Sequence, residues 1–170
     1  MSTAQIEQLF SAHAQDVLAY ARRRTDAASA DDVVADVFAT AWRRADVIPE
    51  ADPLPWLYAV ARRVLANQRR AAGRRAALSD VLGVLARTRE PPAPHQSLPV
   101  LEALAALSPA DRELLMLTAW EGLDAAQVAT VLGCSTGAVH TRLHRARRRL
   151  EHELQRAGAA PYPTPEAHAP

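Results

Sequence analysis

The chain has 170 residues, of which 49% are hydrophobic and 5% aromatic, and its formal net charge at neutral pH is +1. It has no run of about 18 apolar residues, no secretory signal and a single cysteine, Cys134, which argues against a membrane span and an internal disulfide and favours the cytoplasm. All 20 basic residues are arginine, and the abundance of Ala, Leu and Arg favours an all-α fold.

Charge is unevenly distributed along the chain. Residues 1–55 carry nine acids against five arginines, whereas residues 56–77 carry six arginines and no acid. Residues 125–150 carry five arginines, again without an acid. An acidic first part and two basic segments predict different partners for different surfaces.

Residues 5–76 are predicted to form a small domain of three helices. In the first helix, apolar residues recur at helical spacing at Phe10, Val17, Leu18 and Ala21. In the second, Ser29 and Asp32 form a capping pattern, and one face carries Val34, Val37, Phe38, Ala41 and Trp42. A loop rich in Pro and Asp follows over residues 46–55. The third helix is predicted to start near Trp56, and its inward face to carry Leu57, Val60, Ala61 and Val64.

Residues 77–97 are predicted to be a linker, because four prolines lie between Thr88 and Pro99 and proline is excluded from helix interiors. Residues 98–156 are predicted to form a second helical domain. Its helix starts are indicated by Ser108 with Pro109 and Asp111, by Asp124 with Gln127, and by Ser135. Helix stops are expected at Gly122 and Gly133, and the last helix reaches about Arg156. Residues 157–170, with four prolines, are predicted to be a disordered tail.

The last two helices have the order of a helix-turn-helix: a short helix, a turn containing Gly133 and a longer helix. With Val139 placed at 0° on the longer helix, Leu143, Ala146 and Leu150 lie within about 40° of it and form one apolar stripe. The opposite face carries Thr141, His144, Arg145 and Arg148, with no acid before Glu151. This face is either a solvated surface or a DNA-contacting one, and the absence of acids favours DNA in the major groove.

Four segments in order, "ADDVVADVFATAWRR", "PWLYAVARRVLANQRR", "LSPADRELLMLTAWEGLDAAQVATVLG" and "STGAVHTRLHRARRRL", together resemble an extracytoplasmic-function sigma factor of the sigma-70 family. The resemblance covers about residues 8–155. It implies a subunit that binds core RNA polymerase, recognises two promoter elements and opens the upstream edge of the transcription bubble. It also implies contacts with the clamp of the β′ subunit and the flap of the β subunit, and an anti-sigma factor as a further candidate partner.

The resemblance assigns roles to three sets of residues. Contact with the polymerase clamp falls on Asp32, Val33, Asp36 and Phe38. Contact with the minus-ten element falls on Arg62, Arg63, Asn67, Arg69, Arg70 and Arg74, with Arg75 beside them, and residues 46–55 correspond to a pocket for a flipped base. Contact with the minus-thirty-five element falls on Ser135, Thr136, Gly137, His140, Thr141, Arg142, His144, Arg145 and Arg148. Trp56 and Tyr58 are candidates for stacking on bases, or else core residues.

Four alternatives remain open. A stand-alone helix-turn-helix regulator would explain residues 98–156 and leave the first domain without a role, and an interaction module that sequesters another factor would leave the basic helices without one. A metal site at Cys134, His140 and His144 lacks further ligands, and Cys134 as a redox sensor competes with an ordinary packed thiol. No phosphate-binding glycine loop or nucleophile motif is present, so no enzymatic activity, cofactor or metal is expected.

Overall fold

The computed structural model describes residues 3–81 and 99–156, and all regular secondary structure in these ranges is helical. The helices are α1 (Thr3–Arg22), α2 (Ala27–Arg43), α3 (Leu54–Val81), α4 (Pro99–Ala106), α5 (Pro109–Ala119), α6 (Ala125–Leu132) and α7 (Thr136–Arg156), with one 3-10 turn at Ala45–Val47. The all-α prediction is confirmed for this part of the chain. No helix in it is long and apolar enough to span a bilayer.

Two predicted segments fall largely beyond these ranges. The tail at residues 157–170 lies outside the described residues, as does most of the segment predicted as a linker. The helix α3 continues to Val81, so residues 77–81 are helical where the sequence analysis placed the start of the linker. The chain divides into two compact units, with α1, α2 and α3 in the first and α4, α5 and α7 in the second.

The core of the first unit forms where α1, α2 and α3 pack against one another. Its largest completely buried side chains are Val17, Tyr20, Val33, Val37 and Leu57. Burying side chains of this size contributes roughly 1.5 to 3 kcal/mol each, relative to exposing them. This packing determines which faces of α2 and α3 remain available to partners.

A stack of two tyrosines joins α1 to α3. The ring centroids of Tyr20 and Tyr58 lie 4.8 Å apart at an interplanar angle of 24°, and the Arg24 guanidinium carbon lies 3.6 Å from the Tyr20 ring centroid. Tyr58 is only 3% exposed. Of the two alternatives for Tyr58, the core position is confirmed and base stacking is excluded, because its ring already stacks inside the core.

The apolar face of α2 is rotated relative to the predicted one. Val33 is completely buried, whereas Trp42 is 55% exposed, and on α1 Phe10 is 48% exposed. Phe10 and Trp42 line an open groove between α1 and α2. There the Phe10 and Phe38 rings pack edge to face, with their centroids 4.8 Å apart. Ile6 and Leu9 occupy the core positions of α1 instead.

The amino terminus of α2 is capped by Asp26 and not by Ser29. The Asp26 carboxylate accepts hydrogen bonds from the Ser29 backbone N–H and from the Ser29 hydroxyl, both at 3.0 Å. The predicted capping pattern at Ser29 and Asp32 is wrong because an acid three residues earlier reaches the first-turn amides better.

The predicted caps of the second unit are confirmed. Ser108 accepts from the Asp111 N–H at 3.1 Å, and Pro109 occupies the first helical position of α5. Asp124 accepts from the Gln127 N–H at 2.8 Å, while the Gln127 side chain accepts from the Asp124 N–H at 3.0 Å. These bonds satisfy amides that a helix start leaves without partners.

The connections at both ends of α6 use glycine where the backbone demands it. Gly122 and Gly133 have φ of 65° and 66°, a left-handed conformation that costs other residues about 1 to 2 kcal/mol. After Gly133, the Ser135 hydroxyl accepts from the Ala138 N–H at 3.2 Å and starts α7. The long helix α7 then packs against α4 and α5.

We expect Asp26→Ala to lower the free energy of unfolding by about 1 kcal/mol, because it removes the cap of α2. Ser29→Ala removes one exposed hydrogen bond and should cost no more than about 0.5 kcal/mol. Asp26→Asn keeps a side-chain acceptor and serves as the matched control. Urea unfolding of the three variants checks this, and an equal or larger loss in Ser29→Ala would restore Ser29 as the cap.

Candidate nucleic-acid interface

The rotation of α7 about its axis is set by its buried residues. Val139 and Ala146 are completely buried and Leu154 is 4% exposed, while Leu143 and Leu150 are half-buried at the edges of the stripe. The residues predicted to contact the minus-thirty-five element are all exposed: Ser135, Thr136, Gly137, His140, Thr141, Arg142, His144, Arg145 and Arg148. All are accessible to a ligand; Thr141, His144, Arg145 and Arg148 lie opposite the buried stripe, whereas Arg142 lies nearer its edge.

The arginines of this surface are not neutralised by ion pairs. In the part of the chain that the structure describes, Arg142, Arg145, Arg147 and Arg148 form no ion pair. The remaining arginine of the segment, Arg149, pairs with Asp111 of α5. Arg145 and Arg148 lie on the outer face, so like charges repel one another there, and an anionic ligand along that face would relieve the repulsion.

The turn that precedes α7 makes the motif compact. The helix α6 ends at Leu132 and α7 begins at Thr136, so three residues connect them. Capping of α6 by Asp124 and of α7 by Ser135 defines both helix starts. This short connection is that of a helix-turn-helix, in which the second helix enters the major groove.

The amino end of α7 is open to the close approach of a ligand. Gly137 is exposed, and a Cβ added to it would meet no atom within 4 Å. The Thr141 hydroxyl donates to the Gly137 carbonyl at 3.1 Å, one turn along the helix. The fold itself therefore does not require glycine at position 137.

Basic residues also line the outward side of α3. The residues predicted to contact the minus-ten element are all exposed: Arg62, Arg63, Asn67, Arg69, Arg70 and Arg74. Helical spacing of 100° per residue places Arg63, Asn67, Arg70 and Arg74 within about 60° of one another, opposite the buried stripe. Side chains beyond Arg74 in α3 lie outside the described residues, and Arg75 is among them.

The α3 residues differ in their contacts within the protein. Arg70 donates to the Asn67 side-chain oxygen, and Arg69 donates to the Arg24 carbonyl at 3.3 Å. Within residues 3–74 and 100–156, whose side chains are described, Arg62, Arg63 and Arg74 make no hydrogen bond or ion pair. Trp56 is half-buried on the same outward row.

A pocket lies between the loop that precedes α3 and the first half of α1. It measures about 290 Å³ and is lined by Gln5, Gln8, Leu9, Ala12, Ile48, Pro49, Glu50 and Pro53. Ile48 is 5% exposed and anchors the loop. The loop was predicted as the site of a base pocket, but the two glutamines of α1 were missed because they are about 40 residues away in the chain and no local pattern links them to the loop.

The acidic surface of α2 is smaller than predicted. Asp32 and Asp36 are exposed, but Val33 is completely buried and Phe38 is 8% exposed. Both side chains pack into the first unit. Val33 is therefore not available to a partner, and only a small part of Phe38 is. The surface that remains consists of carboxylates.

Among the described residues, no group of three or more His, Cys, Asp or Glu side chains is arranged to hold a metal ion. Cys134 is a free, half-buried thiol in the turn before α7. His140 and His144 are both exposed on the outer side of α7.

Two models of protein families match the chain. Sigma-70 region 2 matches residues 9–75 and Sigma-70, region 4 matches residues 97–150. The ECF RNA polymerase sigma factor SigL of Mycobacterium tuberculosis is 36% identical over 169 residues, covering 91% of this chain and 92% of SigL. The RNA polymerase sigma factor NccH of Alcaligenes xylosoxydans xylosoxydans is 32% identical, covering 74% of this chain and 73% of NccH.

Solved structures give the same result. The sigma factor RpoE of Bartonella quintana, solved with the anti-sigma factor NepR, matches with a TM-score of 0.66 at 29% identity, covering 89% of this chain and 97% of that one. CnrH, solved with the cytosolic domain of CnrY, matches with a TM-score of 0.63 at 28% identity, covering 91% and 90% of the two chains.

We expect Gly137→Ala to leave the free energy of unfolding unchanged or to raise it by up to about 1 kcal/mol, because alanine favours the helix and the space is open. Gly133→Ala should lower it by about 1 kcal/mol, because φ is positive there. Urea denaturation of both variants checks the contrast. Destabilisation by Gly137→Ala would show that the fold requires this glycine, and a loss of DNA binding without destabilisation would place the requirement in the interface.

Proposed function

This chain belongs to the extracytoplasmic-function sigma factors of the sigma-70 family, and from that premise we propose how its surfaces share the recognition of a promoter. It is an RNA polymerase sigma factor that directs promoter recognition and transcription initiation. The observation that carries the residue-level proposal is the acid-free, exposed arginine face of α7 on the second helix of a helix-turn-helix. The outer residues of α7 contact the minus-thirty-five element in the major groove.

The role of α7 is supported by how its side chains are distributed. Arg145 and Arg148 are exposed on the outer face. A guanidinium group can form two hydrogen bonds with a guanine edge or with a phosphate. Thr141 and His144 are exposed on the same face and add hydrogen-bonding groups. The first turn, with Gly137, brings backbone amides near a phosphate, which the positive end of the helix dipole favours.

The outward row of α3 supplies the second contact with DNA. Arg63 and Arg74 have no partner within the described side chains, so their charges are available for phosphates. Asn67 and Arg70 are joined to each other, so that Asn67 is held in one orientation and can present its amide group to a base. The pocket beneath the loop at residues 46–55 is the site for a flipped base, whose extrusion costs a few kcal/mol and is offset by contacts there.

The carboxylates of α2 form the contact with the β′ clamp of core polymerase. Asp32 and Asp36 stand four residues apart on one side of the helix, an arrangement of like charges that destabilises an isolated helix by about 0.2 to 0.5 kcal/mol. Neither pairs with a cation in the described part of the chain. A basic partner surface would compensate both charges, which supports an interface over a role in the fold.

Weak DNA binding by the second unit alone explains why polymerase is needed. Residues 98–156 contain seven arginines and seven acids, so the net electrostatic attraction to DNA is small. On polymerase, the β′ clamp holds the first unit and the β flap holds the second. The two DNA-binding surfaces then act at a high effective concentration. The proposal therefore places the chain in the cytoplasm with polymerase, and the catalytic chemistry belongs to the polymerase.

An anti-sigma factor is proposed as a further partner. Structural support comes from RpoE and CnrH, which were solved with the anti-sigma factor NepR and with the cytosolic domain of CnrY, respectively. A stand-alone helix-turn-helix regulator is the alternative function. It would leave the carboxylates of α2 and the basic row of α3 without a role.

We expect Asp32→Arg with Asp36→Arg to reduce binding to core polymerase at least tenfold, because two attractive contacts become repulsive. The measurement is a pull-down of purified core polymerase by the full chain in the absence of DNA. A control of equal charge, Asp16→Arg with Glu50→Arg, changes two other exposed acids of the first unit and should bind as the wild type does.

Circular dichroism of both double variants checks that they are folded. Equal binding by the Asp32/Asp36 variant and the wild type would contradict the assignment of this surface. Absence of binding by the wild type would favour the stand-alone regulator.

A further inference from the structure

Arg149 differs from the other arginines near it on α7. Its guanidinium lies 2.5 Å from the Asp111 carboxylate of α5 and forms an ion pair with it. The Asp111 side chain is only 12% exposed, while that of Arg149 is 61% exposed. One partner is thus fixed in the protein, and the other reaches it from the surface of α7.

The carboxylate of Asp111 is also hydrogen-bonded to Ser108, the residue that caps α5. The Ser108 hydroxyl donates to the same carboxylate oxygen that Arg149 contacts, at 2.9 Å. The Asp111 backbone N–H donates to the Ser108 oxygen at 3.1 Å. Because the cap of α5 orients Asp111, the position of Arg149 is defined relative to the start of α5.

The next residue holds another helix from the same turn. Arg112 donates to the carbonyls of Leu104, Ala105 and Leu107 at 2.8, 2.6 and 3.1 Å. These carbonyls lie at the end of α4, where a helix leaves acceptors without partners. The first turn of α5 therefore fastens α4 through Arg112 and α7 through Asp111.

The buried stripe sets which side of α7 faces the core, and the ion pair adds a directional contact to that packing. Hydrophobic contacts are themselves non-directional. A charge-assisted hydrogen bond is directional and short. Arg149 directly follows Arg148 and lies one turn beyond Arg145, so it acts close to the outer face.

We propose that Arg149 is a positioning residue for promoter recognition: through Asp111 it aims the outer face of α7, and it does not itself bind DNA. The inference rests on the proposed function of α7. Groups that recognise a ligand must be held within about 0.5 Å of their working positions by supporting contacts. Losing this pair should therefore reduce discrimination between DNA sequences more than it reduces attraction to phosphate.

The test uses the full chain with core polymerase and two DNA duplexes. One duplex is selected by this holoenzyme from a random-sequence pool, and the other is the same duplex with its upstream element scrambled. Arg149→Gln should lower the ratio of the two affinities about tenfold and leave the slope of log affinity against log salt unchanged. Arg145→Gln, which removes a proposed DNA contact, should reduce the magnitude of that slope by about 0.9.

Three further variants separate positioning from general stability. Asp111→Asn should cause the same loss of discrimination, and adding it to Arg149→Gln should cause little more, because both remove one interaction. Arg149→Lys should restore most of the discrimination, since a cation is kept. Arg156→Gln breaks an exposed pair with Glu153 on the same helix and should change neither discrimination nor slope.

Two results of the DNA-binding experiments would overturn the inference. In the first, Arg149→Gln reduces the magnitude of the slope of log affinity against log salt as much as Arg145→Gln does, and its loss of discrimination adds to that of Asp111→Asn. Arg149 would then contact phosphate. The other is discrimination that stays at the wild-type level in the folded Arg149→Gln variant. If the wild-type holoenzyme selects no duplex, the proposed function fails. In that case a double-mutant cycle of thermal unfolding still measures the interaction between Asp111 and Arg149. Absence of coupling in that cycle would overturn the inference independently of the proposed function.

Discussion

The packing of one narrow apolar stripe on α7 is the constraint on which the proposed DNA interface depends. Val139 and Ala146 are completely buried, and a helix has only one side that can face the core. With that side occupied by small and branched apolar groups, Arg145 and Arg148 must point outward. Turning the helix to bury an arginine would require a charge to be desolvated without a partner, at a cost of several kcal/mol. The same residues thus determine the fold of the second unit and the direction of its cationic face.

The surfaces proposed to bind partners each carry charges of one sign. Among the described residues, Asp32 and Asp36 of α2, the arginine row of α3 and the outer-face arginines Arg145 and Arg148 of α7 form no ion pair. Such a distribution costs some stability through like-charge repulsion, and partners of opposite sign offset that cost. A sigma factor needs this separation because it must bind an enzyme and a nucleic acid at the same time.

Local chemistry made much of the second unit predictable. The helix starts at Ser108, Asp124 and Ser135 depend on side chains two or three residues away, so the sequence pattern contains the whole interaction. The sigma-factor family was likewise predictable from four ordered segments, and the comparisons confirm it. The roles of individual DNA-contacting residues stay predictions, since exposure shows only that they are accessible.

Other features depended on contacts that no local pattern contains. Val33 and Val34 are adjacent, so two rotations of α2 satisfy the apolar periodicity, and packing against α1 and α3 chooses the one that buries Val33. Tyr58 belongs to the core because its ring meets Tyr20, on another helix. Arg149 looks like its neighbours in the sequence, and only the approach of α5 distinguishes it. In each case the deciding partner is distant along the chain.

Photo-crosslinking of the holoenzyme on promoter DNA tests most directly whether the outer face of α7 meets DNA. A photoreactive amino acid at position 145 should crosslink to the upstream promoter element when core polymerase is present, and one at position 156 on the same helix should not. Crosslinks from position 145 to polymerase or to no partner at all, in a holoenzyme that still transcribes from the promoter, would contradict the account.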